Sequence, residues 1–538
     1  MTAEAPLSAS GQEGRSWASG AVVYQVYPRS FADSDGDGVG DLDGATSRLP
    51  YLADVLSVDA IWLSPVYRSP MRDFGYDITS FTEVDPLFGD LAAFDRFVGR
   101  AHDLGLRVIM DFVPNHTSDA HPWFVDSATS RVAEHADWYV WADPAPGRAD
   151  PPQPPNNWRA VTGGSAWRWV SQREQFVLHS FLPFQPDLDL SHPPAREAIH
   201  DAMRFWLDRG VDGLRVDMVD FLAKDPLLRD EPDEHYRFAD AEHHLDRQRL
   251  PEVLRGFRDV VTEYPDRVLV GEVNPDLSIE ETVALHGTAE DPLLDMPFNF
   301  GLLRTPFTAD ALAAHLDAYD RAVPAWAWPN LTLGNHDVSR LASRLGQAGA
   351  RSAAVLLLTA RATTFLYNGD ELGLTDVDIP PELVQDPWEA RTPGRGRDRN
   401  RSPLPWDDSP PAAGFSATAP WLPVGAANST RTVTRQRQDP DSMLSLYSEL
   451  LRLRRSHPVL LDGAQRADNP QPDLLRLHRQ QDHPKPASLV ILVNTADADT
   501  VVEPSHLLGH RRPLLCSGPA AWQNETRTLR ARSAVVLR

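Results

Sequence analysis

Cysteine, lysine and positive charge are all scarce in this chain. Among 538 residues there is one cysteine, Cys516, so no intrachain disulfide can form and nothing demands an oxidising compartment. Lysine occurs twice, at Lys224 and Lys485, and Lys plus Arg total 52 against 76 Asp plus Glu, a net charge of −24. That balance disfavours phosphate backbones and anionic lipid, so neither nucleic acid nor a membrane is the expected partner. The longest apolar stretch, near residues 353–360, is far short of a membrane span. Met1 to Arg15 hold no apolar core of the kind a secretory signal needs, which points to a cytoplasmic protein. Internal repeats, heptads and low-complexity tracts are missing too, proline clusters aside.

What remains is the composition of a globular protein, 42% apolar and 24% charged, with enough apolar material for a sizeable core. Short β-branched or apolar runs alternate with longer amphipathic ones, the pattern of a parallel sheet with interposed helices. Eight strands are predicted, over residues 22–26, 60–64, 107–112, 213–217, 268–272, 294–298, 331–335 and 364–367. Helical periodicity is predicted over 90–104, 194–209 and 338–359. Eight strands with helices between them close most economically into a (β/α)8 TIM barrel. About a hundred residues between the third and fourth strands are too many for a plain connection and predict a small inserted domain. The expected organisation is a first barrel part over 1–114, an inserted domain over 115–184, a second barrel part over 185–460 with a long rim loop at 369–441, and a C-terminal all-β sandwich domain over 461–538.

The strand ends carry the chemistry. The fourth ends Gly213-Leu-Arg-Val-Asp217, where the two-residue period puts Arg215 and Asp217 on one face. A carboxylate beside a guanidinium stays ionised, as a nucleophile must. The fifth ends Val268-Leu-Val-Gly-Glu272, and desolvation after that apolar run predicts a carboxyl that keeps its proton. One ionised and one protonated acid are what retaining glycoside cleavage requires. The seventh ends Gly334-Asn-His-Asp337 and the third Asp111-Phe-Val-Pro-Asn-His116. A loop, Asp33-Ser-Asp-Gly-Asp-Gly-Val-Gly-Asp41, spaces carboxylates alternately among glycines, as a hard oxygen-seeking cation requires, yet it is no EF-hand because Gly44 stands at the twelfth position.

Together these segments resemble the α-amylase superfamily of glycoside hydrolases: 111–116, 213–217, 271–272 and 335–337 are similar to its four signature regions. Gln185-Pro-Asp-Leu-Asp189, Pro155-Asn-Asn-Trp158 with Gly163-Gly-Ser-Ala-Trp167, and Phe74-Gly-Tyr-Asp77 resemble the oligo-1,6-glucosidase and α-glucosidase branch. The resemblance implies Asp217 as nucleophile, Glu272 as acid/base and Asp337 as the third carboxylate, with Arg215 orienting Asp217 and His116 and His336 binding the glucose hydroxyls. It implies Asp77 and Arg401 as the wall that closes an exo-acting pocket, Tyr76 as a stacking platform, and Arg340 as a further member of that network. It also implies a structural divalent cation, calcium or alternatively magnesium, on Asp33, Asp35, Asp37, Val39 and Asp41, and no organic cofactor.

Two positions depart from the branch. Asp189 stands where asparagine is usual, and Met218 follows the nucleophile where valine accompanies α-1,6 specificity and threonine or alanine α-1,4, so linkage preference does not transfer. The expected function is an exo-acting retaining α-glucosidase acting on short α-glucosides. A transglucosylase using the same glucosyl-Asp intermediate is the alternative, and a non-catalytic binding protein on the same fold the remote one.

Overall fold

The computed structural model describes residues 16–147, 150–233, 235–482 and 485–538. Met1 to Arg15, read above for want of a signal, lie outside the described residues. Among the described residues no helix is long and apolar enough to cross a membrane.

Eight parallel strands make one sheet: Val22–Val26, Ala60–Leu63, Arg107–Phe112, Gly213–Val216, Val268–Gly271, Met296–Pro297, Asn330–Thr332 and Thr363–Tyr367. The first pairs with both the second and the eighth, the cyclic order of a TIM barrel. Inward side chains fill the barrel and outward ones meet the helices, so these strands are buried on both faces and read as continuous apolar runs. Between the sixth and seventh strands a side chain takes the place of a backbone ladder. Asn330, wholly buried, donates from Nδ2 to the Pro297 carbonyl at 2.7 Å and accepts from the Asn299 N–H at 3.0 Å. Where the fourth and fifth strands begin, a Cβ on Gly213 would lie 2.5 Å from Val268 Cγ2, a closeness only glycine permits.

The observed strands are trimmed at their ends. Asp217 and Glu272 fall one residue past their ladders, yet the Asp217 N–H still reaches the Phe112 carbonyl and the Glu272 N–H that of Val216, both at 2.8 Å. Both acids therefore stand on the first step above the C-terminal rim. The sixth strand shrinks to Met296–Pro297 because the N–H groups of Leu293 and Leu294 turn back to His286 and Leu285. The predicted helices appear as Leu91–Asp103, Pro193–Asp208 and Leu341–Thr359. Asp90 caps the first by accepting from the Ala93 N–H, and Phe94, Phe97, Val98 and Ala101 form its buried stripe. The third begins later than its periodicity suggests, because Asp376 holds Ser339 Oγ at 2.7 Å and the Arg340 N–H at 2.8 Å. It also kinks at Gly346, whose φ is 69°.

Between the third and fourth strands lies a three-stranded antiparallel sheet, Trp141–Ala142, Gln175–Leu178 and Trp167–Val170, packed around Trp158, Trp167 and Phe176. Trp158 stacks on His244, a residue of the segment after the fourth strand, at 4.7 Å. The chain ends in a five-stranded antiparallel sheet facing a three-stranded one, with Leu474, Val490, Leu492, Trp522 and Leu529 between them. Its first strand, Ala464–Gln471, escapes sequence reading: it is polar, contains Pro470, and carries a register shift. Two arginines, Arg454 from the barrel's helix Met443–Ser456 and Arg479 from this domain, meet at the seam, and Arg479 ties the domain to the barrel. Arg454 donates to the carbonyls of Gly20, Leu358, Ala360 and Ala362, and Arg479 to those of Thr359, Leu460 and Gly463. They satisfy carbonyls at the C-terminus of Leu341–Thr359, where positive charge also meets the helix dipole.

If Asn330 closes the barrel, Asn330→Ala leaves a buried carbonyl and a buried N–H unpaired, a cost of about 2–4 kcal/mol. Calorimetry is expected to show a clearly lowered Tm; an unchanged Tm would mean that the closure does not need the amide.

Candidate active site

Arg215 is the centre of the site. It is wholly buried over the Trp62 ring, its Cζ 4.9 Å from the ring centroid, and faces three carboxylates at once. Nη1 donates to Asp111 Oδ1 at 2.7 Å and to Asp217 Oδ1 at 2.8 Å, while Nη2 is paired with Glu272 Oε2. Asp111 is held further by Trp62 Nε1 at 3.1 Å and the Tyr76 hydroxyl at 2.9 Å. The shared guanidinium places Asp217 and Glu272, two acids from different strands, around one point.

Burial raises both carboxyls above their ordinary values. Arg215 pulls each down, and the charge of Glu272 pushes Asp217 higher again. The sequence reading gave the guanidinium to Asp217 alone. Because Arg215 is shared, its charge lowers both acids and neither is set apart by the arginine. Asp337 behaves otherwise: it is buried but held well below the usual carboxylate range by His336, Arg397 and Arg401. Arg401 Nη2 lies 2.7 Å and Arg397 Nη1 3.1 Å from its Oδ1.

Both histidines reach the site. His336 stacks on Tyr76 with ring centroids 5.5 Å apart, bonds its hydroxyl at 2.8 Å, and contacts Gln25 Nε2 at 2.8 Å. His116 Nε2 lies 3.2 Å from the Tyr76 carbonyl. Burial lowers His336 to about 3 and His116 to about 4, so both are neutral at pH 7. Tyr76 itself is pinned by His336 and Asp111 and only 7% exposed.

The expected Asp77–Arg401 wall is not formed. Asp77 accepts from Ser69 Oγ and the Arg72 and Asp73 N–H groups, folding its own loop, and burial raises it to about 6. The contact across the site is made by residues four positions earlier: Arg397 Nη2 donates to Asp73 Oδ1 at 2.8 Å, while Asp386 grips the same guanidinium through Nε at 2.8 Å and Nη2 at 2.9 Å. Arg340 is not part of this network either; it donates to the Asn368 and Ser402 carbonyls and braces the loops beneath. Asp73, Arg397, Asp386 and Asp111 thus join the site unpredicted. The segment 397–403 holds three arginines, and spacing alone does not say which one turns inward.

Beside Asp217, a cavity of about 430 Å3 opens between the inserted domain and the long rim segment, lined by Met218, Phe221, Tyr236, Asn274 and Trp388 among others. Met218 sits at its inner end in the left-handed region, φ 37°. In the Asp/Gly loop, carboxylate oxygens of Asp33, Asp35 and Asp37 lie within 4.8 Å of one another. Asp41 is engaged differently: its oxygens accept from Ser34 N and Oγ and from the Gly44 N–H, capping the helix Leu42–Pro50. The Val39 N–H is taken by Asp37 Oδ1 at 2.7 Å.

A parallel barrel that gathers paired acids and a third carboxylate on its C-terminal rim is the framework of a glycoside hydrolase. The chain belongs to the α-amylase catalytic-domain family, which matches residues 25–463. It is 42% identical over 486 residues to a probable α-glucosidase of Rhizobium meliloti, covering 86% of this chain and 87% of that one. To an oligo-1,6-glucosidase of Parageobacillus thermoglucosidasius it is 33% identical over 545 residues, covering 94% and 95%. Among solved structures it is similar to an α-glucosyl transfer enzyme, XgtA, with TM-score 0.87 and 36% identity over 97% of this chain and 100% of the other. The trehalulose synthase MutB of Pseudomonas mesoacidophila MX-45 superposes with TM-score 0.87 at 32% identity, over 97% and 99%. The resemblance drawn from the signature segments is thereby borne out.

Replacing Arg215 with methionine leaves three buried carboxyls facing one another, so their folded-state values rise further above the unfolded ones. Such groups keep their stability below the unfolded value of roughly pH 4 and lose it as pH rises. The Tm deficit of Arg215→Met against wild type is therefore expected to widen from pH 5 to pH 8 in calorimetric scans. A deficit independent of pH would contradict shared ion pairing.

Proposed function

We propose that this enzyme is an exo-acting retaining α-glucosidase that cleaves short α-glucosides from the non-reducing end. The observation that carries the reading is that Asp217 and Glu272 pair with the two terminal nitrogens of one guanidinium, a closeness that suits the short carboxyl separation of a retaining enzyme better than the roughly 6.5–9.5 Å an inverting one needs to admit a water. Glu272 delivers a proton to the glycosidic oxygen as Asp217 attacks the anomeric carbon, and the aglycone leaves. The same carboxylate then takes a proton from water, which releases glucose from Asp217. Asp337, fully ionised, accepts from sugar hydroxyls as the ring gains positive charge, while neutral His116 and His336, engaged with the Tyr76 carbonyl and hydroxyl, hold Tyr76 in place beside it. Asp73 and Arg397 form the end wall that stops longer chains. Transfer to an alcohol would use the same glucosyl intermediate, and the solved relatives described as transfer enzyme and synthase favour keeping that as the second reading.

We read Asp33, Asp35 and Asp37 as holding a structural calcium or magnesium ion, because each offers a carboxylate oxygen within 4.8 Å of the others, a donor set that suits a hard cation. A cytoplasmic location and α-glucoside substrates without nucleic-acid partners complete the proposal.

Asp217→Asn is expected to lower hydrolysis of a chromogenic α-glucoside by several orders of magnitude, and early proton NMR of the wild-type reaction to show α-glucose first. Equal rates in variant and wild type, or β-glucose first, would defeat the assignment. A chelator is expected to lower Tm while sparing the initial rate at low temperature, because the ion favours the folded state. Immediate loss of rate with Tm intact would contradict a structural ion.

A further inference from the structure

The cavity beside Met218 has a charge opposite to that of the molecule around it. Arg159 enters from the inserted domain, Arg395 from the long rim segment, and Arg304 from the segment after the sixth strand; the acid facing them is Asp276. Arg304 pairs with Asp276. Among the described residues no carboxylate forms an ion pair with Arg159 or Arg395, whose side chains stand exposed at the mouth. Three guanidinium groups against one carboxylate, in a chain of net charge −24, leave a local excess that repels itself: burial and then Arg395 make Arg304 a weaker base. The two loops that present the arginines are tied together, since Thr392 Oγ1 donates to the Thr162 carbonyl at 3.1 Å and Arg391 Nη2 to the Gly163 carbonyl at 2.8 Å. The loops that carry the arginines are therefore anchored at the cavity, with the two guanidinium groups open to an incoming ligand. Aromatic walls, Phe221, Phe238 and Trp388, complete it.

A planar guanidinium with unused donors matches an oxyanion, and an aromatic wall matches a flat apolar body. We propose that this cavity selects α-glucosides whose leaving alcohol carries an anionic oxygen group, a carboxylate in the first instance. The inference rests on the α-glucosidase reading and narrows its substrate. In the step it concerns, the bond from the anomeric carbon to the glycosidic oxygen breaks and one to Asp217 forms. That oxygen takes the proton of Glu272, and the anionic group keeps its charge against Arg159 and Arg395 throughout.

The test uses three phenyl α-D-glucosides, with a para carboxylate, a para phosphate ester or a para methyl ester. For each, kcat/KM is measured with wild type, Arg159→Gln, Arg395→Gln and the double variant, and the anionic-to-ester ratio in each enzyme is compared with that in wild type. Each arginine removed is expected to lower that ratio about two- to fivefold, the range of an exposed ion pair. In wild type the ratio should also fall between 0.05 M and 0.5 M salt, which needs no variant to fold. A larger effect on the phosphate arm than on the carboxylate arm would reassign the anion and overturn the carboxylate preference. Ratios untouched by substitution and by salt would overturn the inference as a whole. Cleavage of the neutral ester reports on the parent reading separately: without it the α-glucosidase assignment fails, whereas its presence with flat ratios removes the anionic selectivity alone.

Discussion

One guanidinium among three acids is the constraint on which this site depends. Buried without Arg215, Asp111, Asp217 and Glu272 could not approach one another, because each ionised carboxylate removed from water needs a partner. One positive charge cannot balance three negative ones. Burial therefore drives the Asp217 and Glu272 carboxyls toward their neutral forms, against the pull of the guanidinium. The barrel makes the meeting possible, since it brings the ends of its third, fourth and fifth strands side by side.

A second arginine organises the donor side in a similar way. Arg397 is pulled between Asp73 from the segment after the second strand, Asp337 from the seventh, and Asp386 from the rim segment. Three distant stretches of chain therefore share one charge, and the shape of the pocket depends on where that charge stands. The inserted domain and the rim segment meet around the cavity beside Met218, so its walls are drawn from loops and not from the barrel.

The barrel strands and the three acids could be read from the sequence because both rest on local facts: apolar runs of strand length, and a carboxylate where each run stops. The wall could not. Asp73 and Asp77, like Arg397 and Arg401, lie four residues apart in irregular segments, where no period of two or 3.6 says which side chain points inward. The choice is made by contacts from elsewhere, the local N–H groups that occupy Asp77 and the Asp386 carboxylate that anchors Arg397. Sharing of Arg215 was hidden for the same reason, since strand alternation reveals neighbours within one strand but not across the barrel. The polar strand Ala464–Gln471 carries little apolar signal because it lies at the edge of its sheet.

The arginine rivets at the base of the C-terminal domain bear on how freely the enzyme could be shortened. Arg454 and Arg479 serve the backbone of the barrel's own last helix turn, not an acidic patch on a mating surface. A chain cut before this domain would lose Arg479 and the charge it sets against the helix's carbonyl end. A truncation there would therefore also change how the helix Leu341–Thr359 ends, and any replacement domain would need a cation at the position of Arg479.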